Sequence, residues 1–138
     1  MNLNKGIAWF AVIISISLLF LPRLVPICTG HAKVGGQSLP MACHYAYQAE
    51  FIIGLLAVIV AASLFVLRTA EGKLFASLLI LLLGLVVVII PQPWVIGICP
   101  EGGCQKTTFF VTIGGILYSL AGLSNIWLIR RAEQGEAE

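Results

Sequence analysis

The chain has 138 residues and 14.8 kDa, of which 59% are hydrophobic and only 10% charged, with a mean hydropathy of +1.02. A soluble domain of this size leaves much of its surface wet and carries about 25% charged residues, so the composition excludes one and points to an integral membrane protein. Eight Lys or Arg against six Glu give a net charge of +2, which offers no basic stripe for nucleic acid.

Crossing a hydrocarbon core of about 30 Å takes roughly 20 helical residues. Four uncharged stretches approach that length: Gly6 to Leu21, closed by Pro22 and Arg23; Phe51 to Leu67, between Glu50 and Arg68; Leu74 to Ile90, ending at Pro91-Gln92-Pro93; and Phe109 to Ile129, ending at Arg130-Arg131. With their interfacial ends, the expected spans are 6–25, 48–67, 74–90 and 109–129 in a single domain over 1–138. The loops then cover 26–47 and 91–108, and a short tail covers 130–138. The bulky Ile27 before Cys28, and the lack of a small-x-small pattern, argue against reading the first stretch as a cleaved signal peptide.

Four spans put the N-terminus, the 68–73 turn and the C-terminus on one side of the membrane. That side holds Lys5, Arg68, Lys73, Arg130 and Arg131; the other holds Arg23, Lys33 and Lys106. The positive-inside rule places both termini in the cytoplasm of a multi-pass protein of the plasma (inner) membrane, with the two long loops outside. Trp9 and Trp127 fall near the inner boundary, and Tyr45, Tyr47 and Trp94 near the outer one. The Glu-rich end after Arg131 reads as a frayed, solvated tail.

This orientation collects Cys28 and Cys43 in the first outer loop, and Cys99 and Cys104 in the second. An oxidising exterior favours disulfides, for which three connectivities exist. Pairing within each loop is favoured because Gly102 and Gly103 suit a tight ring between Cys99 and Cys104; the crossed pairings stay open. His31 and His44 next to these thiols are the weaker candidates for a metal site, since Cys43 and His44 are too close in sequence to reach one ion comfortably. No metal is expected.

The halves resemble each other. Leu24-Val25-Pro26-Ile27-Cys28 aligns with Val95-Ile96-Gly97-Ile98-Cys99, and Gly54 stands eleven positions after Cys43 as Gly115 does after Cys104. Two parallel two-helix repeats are expected. Small residues recur from these glycines at helical spacing, namely Gly54, Ala57 and Ala61 on one span and Gly115, Ser119 and Gly122 on another, with Asn125 near the same face. They predict close helix packing, with Asn125 as an interhelical hydrogen-bonding group.

The densest polar stretch is Met41 to Glu50. On a helix starting near Cys43, His44, Tyr47 and Gln48 share a face, and Tyr47 can meet Glu50. These four residues are candidates for a ligand or partner site, although a carboxylate near a helix N-terminus and boundary tyrosines also have ordinary structural reasons.

At this motif the chain resembles an uncharacterised family of small bacterial four-helix membrane proteins, a domain of unknown function with a Met-x-Cys-His-Tyr run followed by Gln-Ala-Glu. A Gly-x-Cys entry, here Gly97-Ile98-Cys99, marks its second half. Pro100 to Gly103 departs from the Met-containing segment usual there. The resemblance implies an accessory subunit beside ABC-type permeases of the MacB kind.

Three functions follow as expectations. The first is a non-catalytic, disulfide-stapled subunit that binds lipid and another membrane protein or its own copy, with no cofactor. The second is an enzyme resembling the DsbB type, a quinone-linked thiol-disulfide oxidoreductase with four spans and two outer cysteine pairs, although no Cys-x-x-Cys pair is present. The third is a small dimeric transporter, ranked last because proton-coupled carriers need an ionisable group deep in the membrane and Glu50 stands at the edge.

Overall fold

The computed structural model describes residues 3–24, 31–34, 37–40, 42–96 and 104–135, with side chains over 5–21, 23–24, 48–92, 94–95, 107–132 and 134. Four long helices dominate: α1 (Leu3–Leu24), α2 (Ala42–Val66), α3 (Ala70–Ile89) and α5 (Cys104–Gly135). A single turn, α4 (Pro93–Ile96), follows α3, and strands β1 (His31–Val34) and β2 (Gln37–Pro40) lie between α1 and α2.

Three helices hold stretches long and apolar enough to cross a membrane: Gln48–Val66, Ala70–Ile89 and Thr107–Ala132; the described apolar stretch of α1, Lys5–Leu21, is shorter. The long helices contact one another as a ring in the order α1, α2, α3, α5 and back to α1. Successive members run antiparallel. Leu19 of α1 meets Gly54 of α2 while Trp9 meets Phe65, and Ser77 of α3 meets Asn125 of α5 while Val88 meets Gly115.

Local chemistry explains the ends. Thr69, at φ −78° and ψ 144°, caps α3 by accepting a hydrogen bond from the Gly72 N–H at 3.3 Å, satisfying one of the donors that a helix start leaves free. After Ile90, Pro91 removes the N–H needed to continue, and Pro93 opens α4 at the first helical position that proline tolerates.

Two differences from the sequence expectation have physical causes. The 26–47 segment contains an antiparallel hairpin, with His31 opposite Pro40 and Val34 opposite Gln37; only two residues separate these strands, the commonest hairpin loop length. The chain beyond Ile129 continues as helix to Gly135 instead of fraying at once. Ala132, Glu133 and Gln134 are residues that an α-helix accommodates readily.

Small residues take a large share of the buried positions, and many large apolar side chains lie outside. On α1, Ala8, Ala11 and Ser15 are buried, while Trp9, Phe10, Ile13 and Phe20 are exposed. On α2, Ala57 and Ala61 are fully buried, and Ile52, Leu55, Leu56 and Ile59 face outward. A water-soluble bundle would bury its large apolar side chains. Lipid exerts no such preference, so small residues that let backbones approach share the interior with Ile14, Leu18, Leu64, Ile80, Val87 and Val111, and many large apolar side chains stay outside.

The approach is closest between α3 and α5, the most extensively contacting pair. A Cβ on Gly122 would lie 2.8 Å from both the Leu81 nitrogen and the Ser77 carbonyl oxygen, and one on Gly84 would lie 2.8 Å from the Gly115 carbonyl oxygen. These neighbours are backbone, which cannot turn aside. Gly122→Ala should therefore lower stability by about 1–3 kcal/mol, measured by thermal unfolding in mild detergent. Gly6→Ala, with nothing within 4 Å of the added carbon, should leave the transition unchanged or raise it slightly.

Candidate functional site

The bundle interior carries polar groups at two levels. At the middle, Tyr118 of α5 is fully buried, and its hydroxyl donates to the Ala57 carbonyl oxygen of α2 at 2.8 Å. This side chain spans the diagonal of the ring, from one helix to the helix opposite. Ala57 permits it, because a larger residue at that position would occupy the volume the phenol fills. One residue further along α5, Ser119 donates to the Leu81 carbonyl oxygen at 3.4 Å.

The second level lies towards the end that carries both chain termini. Asn125, 5% exposed, donates through Nδ2 to the Ser77 hydroxyl at 2.8 Å, and that hydroxyl donates to the Lys73 carbonyl oxygen at 2.7 Å. Side chain, side chain and backbone thus form one hydrogen-bonded series from α5 into the first turn of α3. A buried amide in an apolar setting must be satisfied in this way.

Immediately beyond this series opens a cavity of about 310 Å³. Lys5 of α1, Arg68 from the turn between α2 and α3, and Lys73 of α3 line it, with Asn125 at its buried end. Ala8, Leu64 and Phe65 contribute apolar wall. Every long helix, or its adjoining turn, supplies a lining residue. Arg130 and Arg131 stand on the same end of α5 but do not line the cavity; the Arg131 guanidinium lies over the Trp127 ring, 5.1 Å from its centroid.

The residues singled out for helix packing all lie inward. Gly54, Ala57, Ala61, Gly115, Gly122 and Asn125 are buried and Ser119 is half-buried. Gly54 meets Leu19 of α1, and Gly115 meets Gly84 and Val88 of α3. Each aligned glycine thus faces the long helix that precedes its own.

At the opposite end, α2 begins at Ala42, so His44, Tyr47, Gln48 and Glu50 all stand on its first turns. Gln48 is exposed and Glu50 half-buried, and the described apolar stretch Gln48–Val66 includes both. The side chains of His44 and Tyr47 lie outside the described residues. So do the side chains of all four cysteines and of His31, and with them the expected disulfides and the Cys/His site. Cys43 and Cys104 are nevertheless placed on the first turns of α2 and α5. Among the described residues no group of three His, Cys, Asp or Glu could hold a metal ion.

Sequence reasoning missed Tyr118, Ser77 and Gly84. Tyr118 carries a signal in the sequence, being a phenol near the middle of the Phe109 to Ile129 stretch, where no aromatic belt reaches. Lys5, Arg68 and Lys73 were read for orientation alone, and their convergence requires the tertiary packing.

Ring order, buried small residues and apolar exteriors define an all-helical membrane-spanning bundle. The chain belongs to the family described as a domain of unknown function (DUF4418), whose profile matches residues 9–128. Neither a curated protein nor a solved structure shows a significant match to it.

Tyr118→Phe keeps the ring and removes one interhelical hydrogen bond, so it should cost about 0.5–1.5 kcal/mol. Tyr118→Ala also empties the centre of the ring and should cost about 3–5 kcal/mol. Unfolding of both variants in mixed detergent micelles checks the order.

Proposed function

We propose that the chain is a non-catalytic subunit of the bacterial inner membrane, with both termini cytoplasmic, that docks on a membrane transport complex through its outer end. The supporting observation is where the small residues go. A seam of glycine and alanine is the usual means by which one membrane protein grips another, and here Gly54, Gly84, Gly115 and Gly122 are spent inside the chain. Docking then falls to the segments at the far end from the termini: the 26–47 segment with its hairpin, the α2 entry from His44 to Glu50, and the 91–108 segment. Disulfides among Cys28, Cys43, Cys99 and Cys104 would brace those segments outside the membrane. The gathering of Lys5, Arg68, Lys73, Arg130 and Arg131 at the other end supports the orientation. Two parallel hairpin repeats fit the way each aligned glycine meets its preceding helix. An ABC-type permease is the partner class we favour, ahead of a second copy of the chain.

A second reading is a quinone-linked thiol-disulfide oxidoreductase. It is favoured by the positions of Cys43 and Cys104 at helix starts, where the positive end of the helix dipole stabilises thiolate. Two thiols would give two electrons and two protons to a quinone, leaving a disulfide and a quinol.

One preparation separates these readings. The full chain, produced at its native level and isolated in mild detergent, should carry a transporter subunit in fixed stoichiometry, and the double variant His44→Ala, Glu50→Gln should lose it while keeping its unfolding temperature. A chain that elutes alone from such membranes contradicts the docking reading. Cysteines that cycle between alkylatable and protected forms as added ubiquinone is supplied and withdrawn would favour the second.

A further inference from the structure

The cavity at the terminal end has a composition that docking at the far end does not use. Lys5 from the start of α1, and Arg68 and Lys73 from the turn into α3, line one space together with the buried amide of Asn125. Among the described residues no carboxylate lines it; Glu71, the acidic residue between Arg68 and Lys73, is exposed and is not among the lining residues. None of the three cations forms an ion pair among the described residues. Like charges gathered at a half-enclosed site repel one another, and an anion between them relieves that repulsion.

The wall adds a second constraint. Leu64, Phe65 and Ala8 line the same cavity, and Phe65 packs edge-on against the outward-facing Trp9, with ring centroids 5.4 Å apart. An occupant therefore meets charge on one side and an apolar surface continuous with the lipid-facing exterior on the other. At about 310 Å³ the space falls at the lower end of small-ligand pockets, which run from roughly 300 to 1,000 Å³. The hydrogen-bonded series from Asn125 through Ser77 to the Lys73 backbone holds the α3 start and the α5 amide in fixed relation, so the site is built before anything enters. Basic pockets between membrane helices at the headgroup level are where anionic lipid headgroups bind.

We infer that this cavity binds the phosphate headgroup of an anionic phospholipid, with Lys5, Arg68 and Lys73 contacting the phosphate and Leu64 and Phe65 the first carbons below it. The lipid ties the start of α1, the turn between α2 and α3, and α3 itself together at the membrane boundary. This does not depend on the docking proposal, since neither partner nor outer segments take part.

The test uses the full chain in mild detergent, with phosphatidylglycerol as probe, phosphatidylcholine as zwitterionic control, and native mass spectrometry with thermal unfolding as readouts. Wild type should retain phosphatidylglycerol and be stabilised by it, with little response to phosphatidylcholine. Arg68→Gln with Lys73→Gln should weaken phosphatidylglycerol binding by about tenfold for each charge-assisted hydrogen bond removed, while unfolding normally without lipid. Lys5→Gln serves as an independent variant should the double substitution disturb the turn. Arg130→Gln with Arg131→Gln removes two cations from the same end but none from the cavity, and should bind as wild type. Equal losses in the two double variants would mean a diffuse basic rim and overturn the site. Displacement of the lipid by millimolar inorganic phosphate would assign the cavity to free phosphate and overturn the lipid assignment.

Discussion

The backbone approach of α3 and α5 is the constraint on which the rest of this bundle depends. Within a membrane, apolar side chains gain nothing by leaving lipid for protein, so helices associate through van der Waals contact and hydrogen bonds. Both weaken steeply with distance. Gly84, Gly115 and Gly122 remove the side chains that would hold the two backbones apart, and the Asn125 to Ser77 and Ser119 to Leu81 bonds span the gap that results. With α3 and α5 locked together, Tyr118 is held at the depth from which its hydroxyl reaches α2.

This packing has a functional consequence. The interior of the ring is filled by Tyr118, by alanine, serine and glycine, and by Ile14, Leu18, Leu64, Ile80, Val87 and Val111, while many other large apolar residues are turned outward. What remains open for interaction lies at the ends. The terminal end offers a cationic cavity with an apolar wall, suited to an amphiphilic anion. The far end carries a hairpin and the polar α2 entry, suited to a protein partner. On the proposed reading, one bundle holding both would let a small subunit engage lipid and protein at once.

Much of this was legible in the amino-acid order. Scarce charge identified the solvent, and uninterrupted apolar stretches located the helices, because a bilayer forces backbone groups to pair within each segment. Spacing of Gly54, Ala57 and Ala61, and of Gly115, Ser119 and Gly122, picked out faces that lie inward, since a face is a local property of one helix. The opposing partner was not legible. Gly84 stands alone in a run of leucine and valine, and nothing local marks it as the residue that faces Gly115. Asn125 was recognisable as an interhelical group, yet Ser77 as its acceptor depends on the register between α3 and α5. The cavity was hidden for the same reason, since Lys5 lies far in sequence from the turn that carries Arg68 and Lys73 and meets it only once the ring closes. The hairpin is not legible in the sequence because strands of only four residues each carry too little alternation to stand out from a loop.

The register of α3 against α5 is the most direct test. In a chain whose four native cysteines are changed to serine, Ser77→Cys combined with Asn125→Cys should be bridged within one molecule by the shortest membrane-permeant bis-thiosulfonate reagent. Ser77→Cys combined with Leu123→Cys, on the outward face of α5, should not be. Bridging of the second pair as readily as the first, or bridged products only between two chains, would contradict the packing from which the cavity and the docking end both follow.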